Sequence, residues 1–132
     1  MDTHVSTGQR HVWTQTVSLS GIDWNGHVNN VRMSAWVQDS WTHLLAPGEG
    51  APPTFAAATH HAQYQKPLPY RSRVRIETSV SELLRCTVTG TAAATDGATD
   101  YARITTTWVA FDTAAQRARA LTDTERVNLT RP

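Results

Sequence analysis

The chain has 132 residues, a length typical of one domain with a single hydrophobic core. Its formal net charge is +1 and no stretch is polybasic, which argues against nucleic acids and membrane surfaces as main partners. The single cysteine, Cys86, excludes an intrachain disulfide, residues 1–10 lack an apolar signal core, and no run approaches the ~20 apolar residues of a membrane span. We therefore expect a soluble cytoplasmic protein.

The first half of the chain predicts one strand and one long helix after a loose arm, residues 1–9. Apolar and hydroxyl-bearing residues alternate over residues 10–19, a pattern typical of a half-buried strand. Apolar residues then recur at helical spacing over residues 30–45, and Pro47-Gly48 stops this helix. Its apolar stripe is wide, so we expect the helix to be covered on most sides.

Four further strands are predicted in the second half. The first spans residues 54–66, and regular alternation marks the other three, at residues 73–80, 84–92 and 101–110. The tail, residues 113–132, is polar, with at most a short helical turn near residues 122–127. Short links between the last strands favour an antiparallel sheet that curls around one buried helix, an α+β fold of a single domain.

A polar loop over residues 20–30 leads directly into the helix and carries the candidate catalytic residues. Asn29 or Asn30 can cap the helix by accepting from its free N–H groups. Those N–H groups and the helix dipole favour negative charge, so N–H groups from Gly26 to Asn30 can hold the oxyanion of an attacked thioester. Asp23 is expected beside this helix end, where a carboxylate stays ionised and suits a nucleophile or base.

This loop resembles the D-x-x-G-H-V-N-N segment of hotdog-fold acyl thioesterases of the 4-hydroxybenzoyl-CoA thioesterase-like group. It is also similar to the D-x-N-x-H-V-N-N segment of plant-type acyl-ACP thioesterases, matched by Asp23, Asn25, His27, Val28, Asn29 and Asn30. The resemblance implies a hotdog fold, in which an antiparallel sheet wraps around one long central helix, over residues 10–111. It further implies a homodimer or homotetramer with the thioester channel between subunits, which would also cover sheet edges.

Carried over by position, the resemblance implies Asp23 as the catalytic carboxylate and Asn25 and His27 as partners that orient or polarise. It places the oxyanion-binding N–H group near Asn30, with Val28 in the same turn. The acyl-ACP enzymes carry a further acid after a strand tyrosine, whereas this chain has Tyr64 followed by Gln-Lys-Pro. That difference argues against a mechanism that needs the second acid.

Structural interpretations compete with these roles. Asp23 can form an Asx-turn or cap, although the whole motif favours catalysis, and His27 can be an imidazole that only locks the loop. Asn25 can serve the turn alone. Asp39, on the helix, is better interpreted as part of a solvated face or an arginine partner.

Aromatic and basic side chains supply the candidate binding residues. Trp24 and Tyr64 can line an acyl channel, and Arg73 can meet phosphates of CoA or phosphopantetheine or an acidic carrier protein. His60 and His61 are strand neighbours whose side chains point to opposite faces, so they cannot share a metal ion. With no metal-ligand spacing in the sequence we predict no metal and no cofactor, and we expect Cys86 to lie in the core.

The sequence therefore predicts an acyl thioesterase that hydrolyses an acyl-CoA or acyl-carrier-protein thioester. One alternative is a hotdog enoyl hydratase or dehydratase, although those families use D-x-N-P-x-H, with a proline and one more residue before the histidine. The other alternative is a non-catalytic acyl-binding or dimerisation module, because a fold alone does not specify chemistry.

Overall fold

Residues 10–16, 30–45, 54–69 and 72–130 are described by the structure, a computed structural model. They form, in chain order, β1 (Arg10–Thr16), α1 (Asn30–Leu45), β2 (Phe55–Tyr64), β3 (Arg73–Leu83), β4 (Thr87–Thr95), β5 (Asp100–Asp112), β6 (Arg117–Ala118) and α2 (Asp123–Thr130). Five strands make one antiparallel sheet in the order β1-β3-β4-β5-β2, and β6 pairs with the end of β5. The predicted order of strand, helix and four strands is confirmed.

The core lies between α1 and one face of the sheet. Helical spacing places seven α1 side chains in the core: Met33, Trp36, Val37, Ser40, Trp41, Leu44 and Leu45. Strand alternation supplies the facing layer, which includes Val74, Ile76, Thr78, Val80, Val88, Ala92, Ala94, Ala102, Ile104 and Thr106. The covered stripe is narrower than the sequence predicts, because Ala35 is exposed and Val31 is 80% exposed.

Small residues in β4 allow the helix to approach the sheet closely. Gly90 lies beneath Trp41, and a Cβ atom added at this glycine would meet the carbonyl oxygen of Ser79 and lie 2.6 Å from Cη2 of Trp41. Trp41 is fully buried, and its ring centroid is 6.1 Å from that of Trp108, with the planes inclined at 60°. Large helix side chains thus fit over small strand residues, as dense interior packing requires.

The start of β4 differs from the prediction. Residues 84–86 form a turn before the strand, closed by a hydrogen bond of 3.0 Å from the Leu84 N–H group to the Thr87 carbonyl. Cys86 is consequently half-buried in this turn and outside the apolar core, and its Sγ accepts from Arg85 at 3.4 Å. Leu84 and Cys86 alternate with polar neighbours as residues of a strand do, although the backbone turns here. The predicted strand therefore begins three residues too early.

The polar tail carries more structure than predicted. A capping box begins α2, because the Thr122 hydroxyl accepts from the Glu125 N–H group and Glu125 accepts from the Thr122 N–H group. Glu125 also pairs with Arg119 at 2.8 Å. Burial raises the pKa of Glu125, but hydrogen bonds from Arg119 and Thr122 outweigh it and leave the pKa below its usual value. Leu121 and Leu129 are buried in the core, and they dock this segment.

Strand β2 forms one edge of the sheet. It pairs with β5 on one side, and the burial pattern leaves most of its residues exposed. Its sequence, FAAATHHAQY, contains no Asp, Glu, Lys or Arg. Neither described helix is long and apolar enough to cross a membrane.

Candidate functional site

A pocket of about 250 Å³ lies between α1 and the β2–β5 edge of the sheet. From the helix it is lined at positions i, i+3, i+4 and i+7, which share one helix face, and from the strands it is lined by inward-facing positions. The lining residues are Ser34, Val37, Gln38, Trp41, Ala57, His60, Thr106 and Trp108. The pocket therefore has aromatic and aliphatic walls with four polar side chains among them.

His60 is held in place by the strand beside it. Its Nδ1 atom is 3.2 Å from the hydroxyl of Thr106, which lies directly opposite in the β2–β5 register. Thr106 is buried, whereas His60 is exposed, so the imidazole bridges the wall and the mouth of the pocket. His61 follows on the other face of β2, since successive strand residues alternate. The two neighbouring histidines thus have different surroundings.

The two tryptophans carry unused hydrogen-bond donors. The indole Nε1 atoms of Trp41 and Trp108 are both buried, and neither has an acceptor among the described residues. A buried N–H group without an acceptor costs stability, because it has lost water and gained nothing. Because both nitrogen atoms are buried, they do not form part of the accessible wall of the pocket.

The pocket lies close to the start of α1. Ser34 lines it one turn after Asn30, roughly 6 Å along the helix axis at 1.5 Å per residue. The hydroxyl of Ser34 is 3.2 Å from that of Tyr64, at the end of β2. Tyr64 is 42% exposed, and this contact joins it to a residue of the pocket lining. This placement is compatible with its predicted role in substrate binding, which stays a prediction.

Most of the predicted catalytic residues cannot be compared with the structure. Asp23, Trp24, Asn25, His27 and Val28 lie outside the described residues, so their roles stay predictions. Asn30 begins α1, as predicted, and its side chain is exposed.

Arg73 is exposed at the first position of β3. The following residue, Val74, is fully buried in the core, so strand alternation places Arg73 on the opposite face of the sheet from α1 and the pocket. The structure therefore does not bring Arg73 and Tyr64 to one surface. Among the described residues, no group of three His, Cys, Asp or Glu side chains could hold a metal ion.

Sequence reasoning missed most of the pocket. Ser34 and Gln38 are polar residues on a helix, and nothing in their identity distinguishes them from solvated positions. The signal that could have found them is their spacing to Trp41, which places all three on one helix face. The inward position of His60 on β2 depends on the register shift between Ala57 and Thr59, which the sequence pattern does not indicate.

Apart from Glu125, a cluster of residues with shifted pKa values lies at the β4–β5 turn, away from the pocket. The Asp96 carboxylate accepts from the Thr99 and Ala98 N–H groups and from the Tyr101 hydroxyl, and these bonds lower the pKa of Asp96. The hydrogen bond to Asp96 raises the pKa of Tyr101. All these bonds close one exposed hairpin turn, so the cluster stabilises the turn.

Comparison with known proteins identifies the family. The sequence profile of the thioesterase-like superfamily matches residues 17–128. The chain belongs to this superfamily. The match includes the polar loop, α1 and all the residues that line the pocket. Among curated protein sequences, none matches the chain significantly.

Solved structures share the fold. A predicted thioesterase from Bacillus stearothermophilus superposes with a TM-score of 0.83 at 18% identity, covering 92% of this chain and 94% of that one. The protein SAV2348 from Staphylococcus aureus, whose structure contains CoA, superposes with a TM-score of 0.86 at 13% identity over 98% of this chain and 90% of its own. At these identities the likeness concerns the fold, and the predicted α+β hotdog fold is confirmed.

Proposed function

We propose that this member of the thioesterase-like superfamily is an acyl thioesterase that hydrolyses acyl-CoA or an acyl-carrier-protein thioester. The observation that carries the proposal is the pocket that begins one turn beyond the first residue of α1. An acyl group in that pocket would place its thioester carbonyl near the helix N-terminus, where N–H groups and the helix dipole favour an oxyanion.

The proposed mechanism uses a single carboxylate. Asp23 attacks the thioester carbonyl directly or removes a proton from an attacking water, and the carbonyl oxygen takes the negative charge. Backbone N–H groups near Asn30 and Val28 stabilise that oxyanion, while His27 and Asn25 orient the reacting groups. The carbon–sulfur bond then breaks, and the thiolate leaves and takes up a proton. If Asp23 has attacked directly, water hydrolyses the resulting anhydride.

Coenzyme A is the thiol carrier that the comparisons favour. The SAV2348 protein, which shares the fold, was determined in complex with CoA. We extend this to the present chain as a proposal, with a carrier protein as the other candidate. Arg73 remains a proposed contact for phosphates outside the pocket. A CoA substrate and the single cysteine both fit a cytoplasmic enzyme.

We also propose that the protein is a homo-oligomer with at least two copies. The edge strand β2 is long, largely exposed and free of charged residues, whereas solitary edges are usually protected by charge, proline or a covering element. Its one described irregularity is a register shift between Ala57 and Thr59. A second copy paired on this edge would cover it. Sedimentation equilibrium at several concentrations tests this, and a monomer at all of them would contradict it.

The test of the catalytic proposal measures thiol release from a panel of acyl-CoA and acyl-carrier-protein substrates. We expect the wild type to hydrolyse at least one of them and Asp23→Asn to lose roughly 10²–10⁴-fold in kcat, the contribution typical of a positioned base. Asp39→Asn is the matched control, because it makes the same chemical change at an exposed position of α1. It should retain wild-type activity.

Other outcomes would contradict the proposal in distinct ways. Binding of a non-hydrolysable acyl thioether without turnover by the wild type would indicate an acyl-binding module. Addition of water to an enoyl-CoA would indicate a hydratase. Equal activity of the wild type and Asp23→Asn would remove Asp23 from the mechanism and leave the fold assignment intact.

A further inference from the structure

We infer that the pocket selects acyl groups that carry a hydroxyl group near their far end, and that His60 is the residue that recognises this hydroxyl. The inference rests on the proposed thioesterase function and adds the class of acyl group to it. Three features of the pocket lead to it: its volume, the fixed imidazole of His60 and the polar side chains on the helix side.

The pocket volume matches a short acyl group. A cavity of about 150 Å³ lined by aliphatic and aromatic side chains is large enough for benzene, whereas drug-sized ligands need roughly 300–1,000 Å³. The observed 250 Å³ lies between these values. The pocket thus accommodates a short chain or a single ring with a substituent, and a long fatty chain would extend beyond it.

The imidazole of His60 is arranged to bind a hydroxyl. Its Nδ1 atom is engaged with the hydroxyl of Thr106, so the ring position is fixed and Nε2 is left for another partner. If Nδ1 accepts from Thr106, Nε2 carries the proton and donates; if Nδ1 donates, Nε2 accepts. A hydroxyl can do either, because it is both a donor and an acceptor. A ketone oxygen can only accept, and an alkyl group satisfies neither tautomer.

The remaining polar groups favour the same class. On the helix side of the pocket, Gln38 contributes an amide, and Ser34 contributes a hydroxyl that also contacts the hydroxyl of Tyr64. A plain alkyl chain would cover these donors and acceptors without pairing them, which lowers its affinity relative to a hydroxylated chain.

The test compares pairs of substrates that differ in one group. Each ω-hydroxyacyl-CoA of four to eight carbons is compared with the n-alkyl acyl-CoA that has one carbon more, so a terminal hydroxyl replaces a methyl group of similar size. We expect roughly a tenfold preference in kcat/KM for the hydroxyl at the length that reaches His60, the value of one hydrogen bond at this site. The preference should appear mainly in KM, because the hydroxyl is remote from the reacting carbonyl.

Adjacent residues provide the control. His60→Leu should reduce the preference to about onefold, whereas His61→Leu, on the other face of the same strand, should leave it unchanged. Thr106→Val removes the hydroxyl that fixes the imidazole while keeping the side-chain shape, and it should reduce the preference partially. Thr105→Val, on the opposite face of β5, is its control. Thermal unfolding of each variant establishes that it is folded, and Thr106→Val tests the inference if His60→Leu is unstable.

Calorimetric binding of the corresponding non-hydrolysable acyl thioethers separates this inference from the proposed function. If nothing is hydrolysed but the hydroxylated thioethers bind more tightly through His60, the selectivity stands and the thioesterase proposal fails. If substrates are hydrolysed with no hydroxyl preference at any length, or if His60→Leu retains the preference, the selectivity is refuted and the thioesterase proposal stands.

Discussion

Replacing Gly90 with alanine tests the close approach of α1 to the sheet. A Cβ atom at this position would lie 2.6 Å from Cη2 and 2.9 Å from Cζ2 of Trp41, and it would also meet the Ser79 carbonyl oxygen. Carbon atoms pack optimally at about 3.5–4.0 Å, so the new methyl group is roughly 1 Å too close to the indole. Neither neighbour can yield easily, because the indole is fully buried and Ser79 belongs to a paired strand.

The expected cost follows from two opposing effects. Alanine in the interior of a strand is normally favoured over glycine by roughly 0.5–1 kcal/mol, because glycine loses more backbone entropy on folding. Overpacking a dense core costs about 1–3 kcal/mol and sometimes more. Because the methyl group meets a rigid ring and a backbone atom together, the upper part of that range applies. We expect Gly90→Ala to lower the free energy of unfolding by about 2 kcal/mol.

Urea denaturation followed by tryptophan fluorescence measures this value, with near-UV circular dichroism as a report on the packing of Trp41. Thr91→Ala, one residue further on the outer face of the sheet, is the control and should cost less. Trp41→Phe removes the two clashing ring carbons, so a double-mutant cycle should show that Gly90→Ala costs less in the Trp41→Phe background than in the wild type. If Gly90→Ala were as stable as the wild type, the close approach of helix and sheet would be wrong.

Two further substitutions test other parts of the fold. Glu125→Gln should cost on the order of 1 kcal/mol at pH 7, because solvent partly screens its pair with Arg119. Because the pKa of Glu125 is lowered in the folded state, its contribution to stability is complete above the pKa of an unperturbed glutamate and is lost as pH falls through the folded-state pKa. The Tm measured from pH 6 to pH 2 should therefore fall less in Glu125→Gln than in the wild type. An identical fall in both proteins would contradict this. Ser40→Ala removes the buried hydroxyl that is 2.8 Å from that of Thr78 and should cost about 1–3 kcal/mol in urea denaturation. The double variant with Thr78→Val should cost less than the sum of the single changes, and simple additivity would rule out this coupling.

Some elements could be predicted from the sequence because their local signals agree. Helix α1 has the bounds that its apolar spacing predicts, Asn30–Leu45. The alternating strands β3 and β5 are confirmed for the same reason. The start of β4 was predicted wrongly because alternation continues through the turn at residues 84–86, and periodicity does not detect a reversal without glycine or proline. Helix α2 was underestimated because its stability depends on the ion pair of Glu125 with Arg119 and on the burial of Leu129 in the core, which are tertiary contacts rather than helical propensity.

The candidate site likewise has one part that could be predicted from the sequence and one that could not. The polar loop carries a contiguous motif, so sequence reasoning could propose Asp23 and its partners. The pocket is assembled from α1, β2 and β5, which are far apart in the chain, and it has no contiguous motif. Its polar residues become recognisable only when the register places His60 opposite Thr106. Chemistry encoded in one loop is visible in a sequence, whereas selectivity encoded across three elements requires the fold.

Helix α1 connects stability and selectivity through one residue. Trp41 packs over Gly90 on one side and lines the pocket together with Trp108, so a change to it alters the core and the pocket at once. Gln38 and His60 are exposed and line only the pocket, so substitutions there change the polarity of the site at little cost in packing. The proposed acyl selectivity can therefore be altered at the exposed polar positions while the aromatic wall is retained. Substitution of Trp41, in contrast, should first reduce stability.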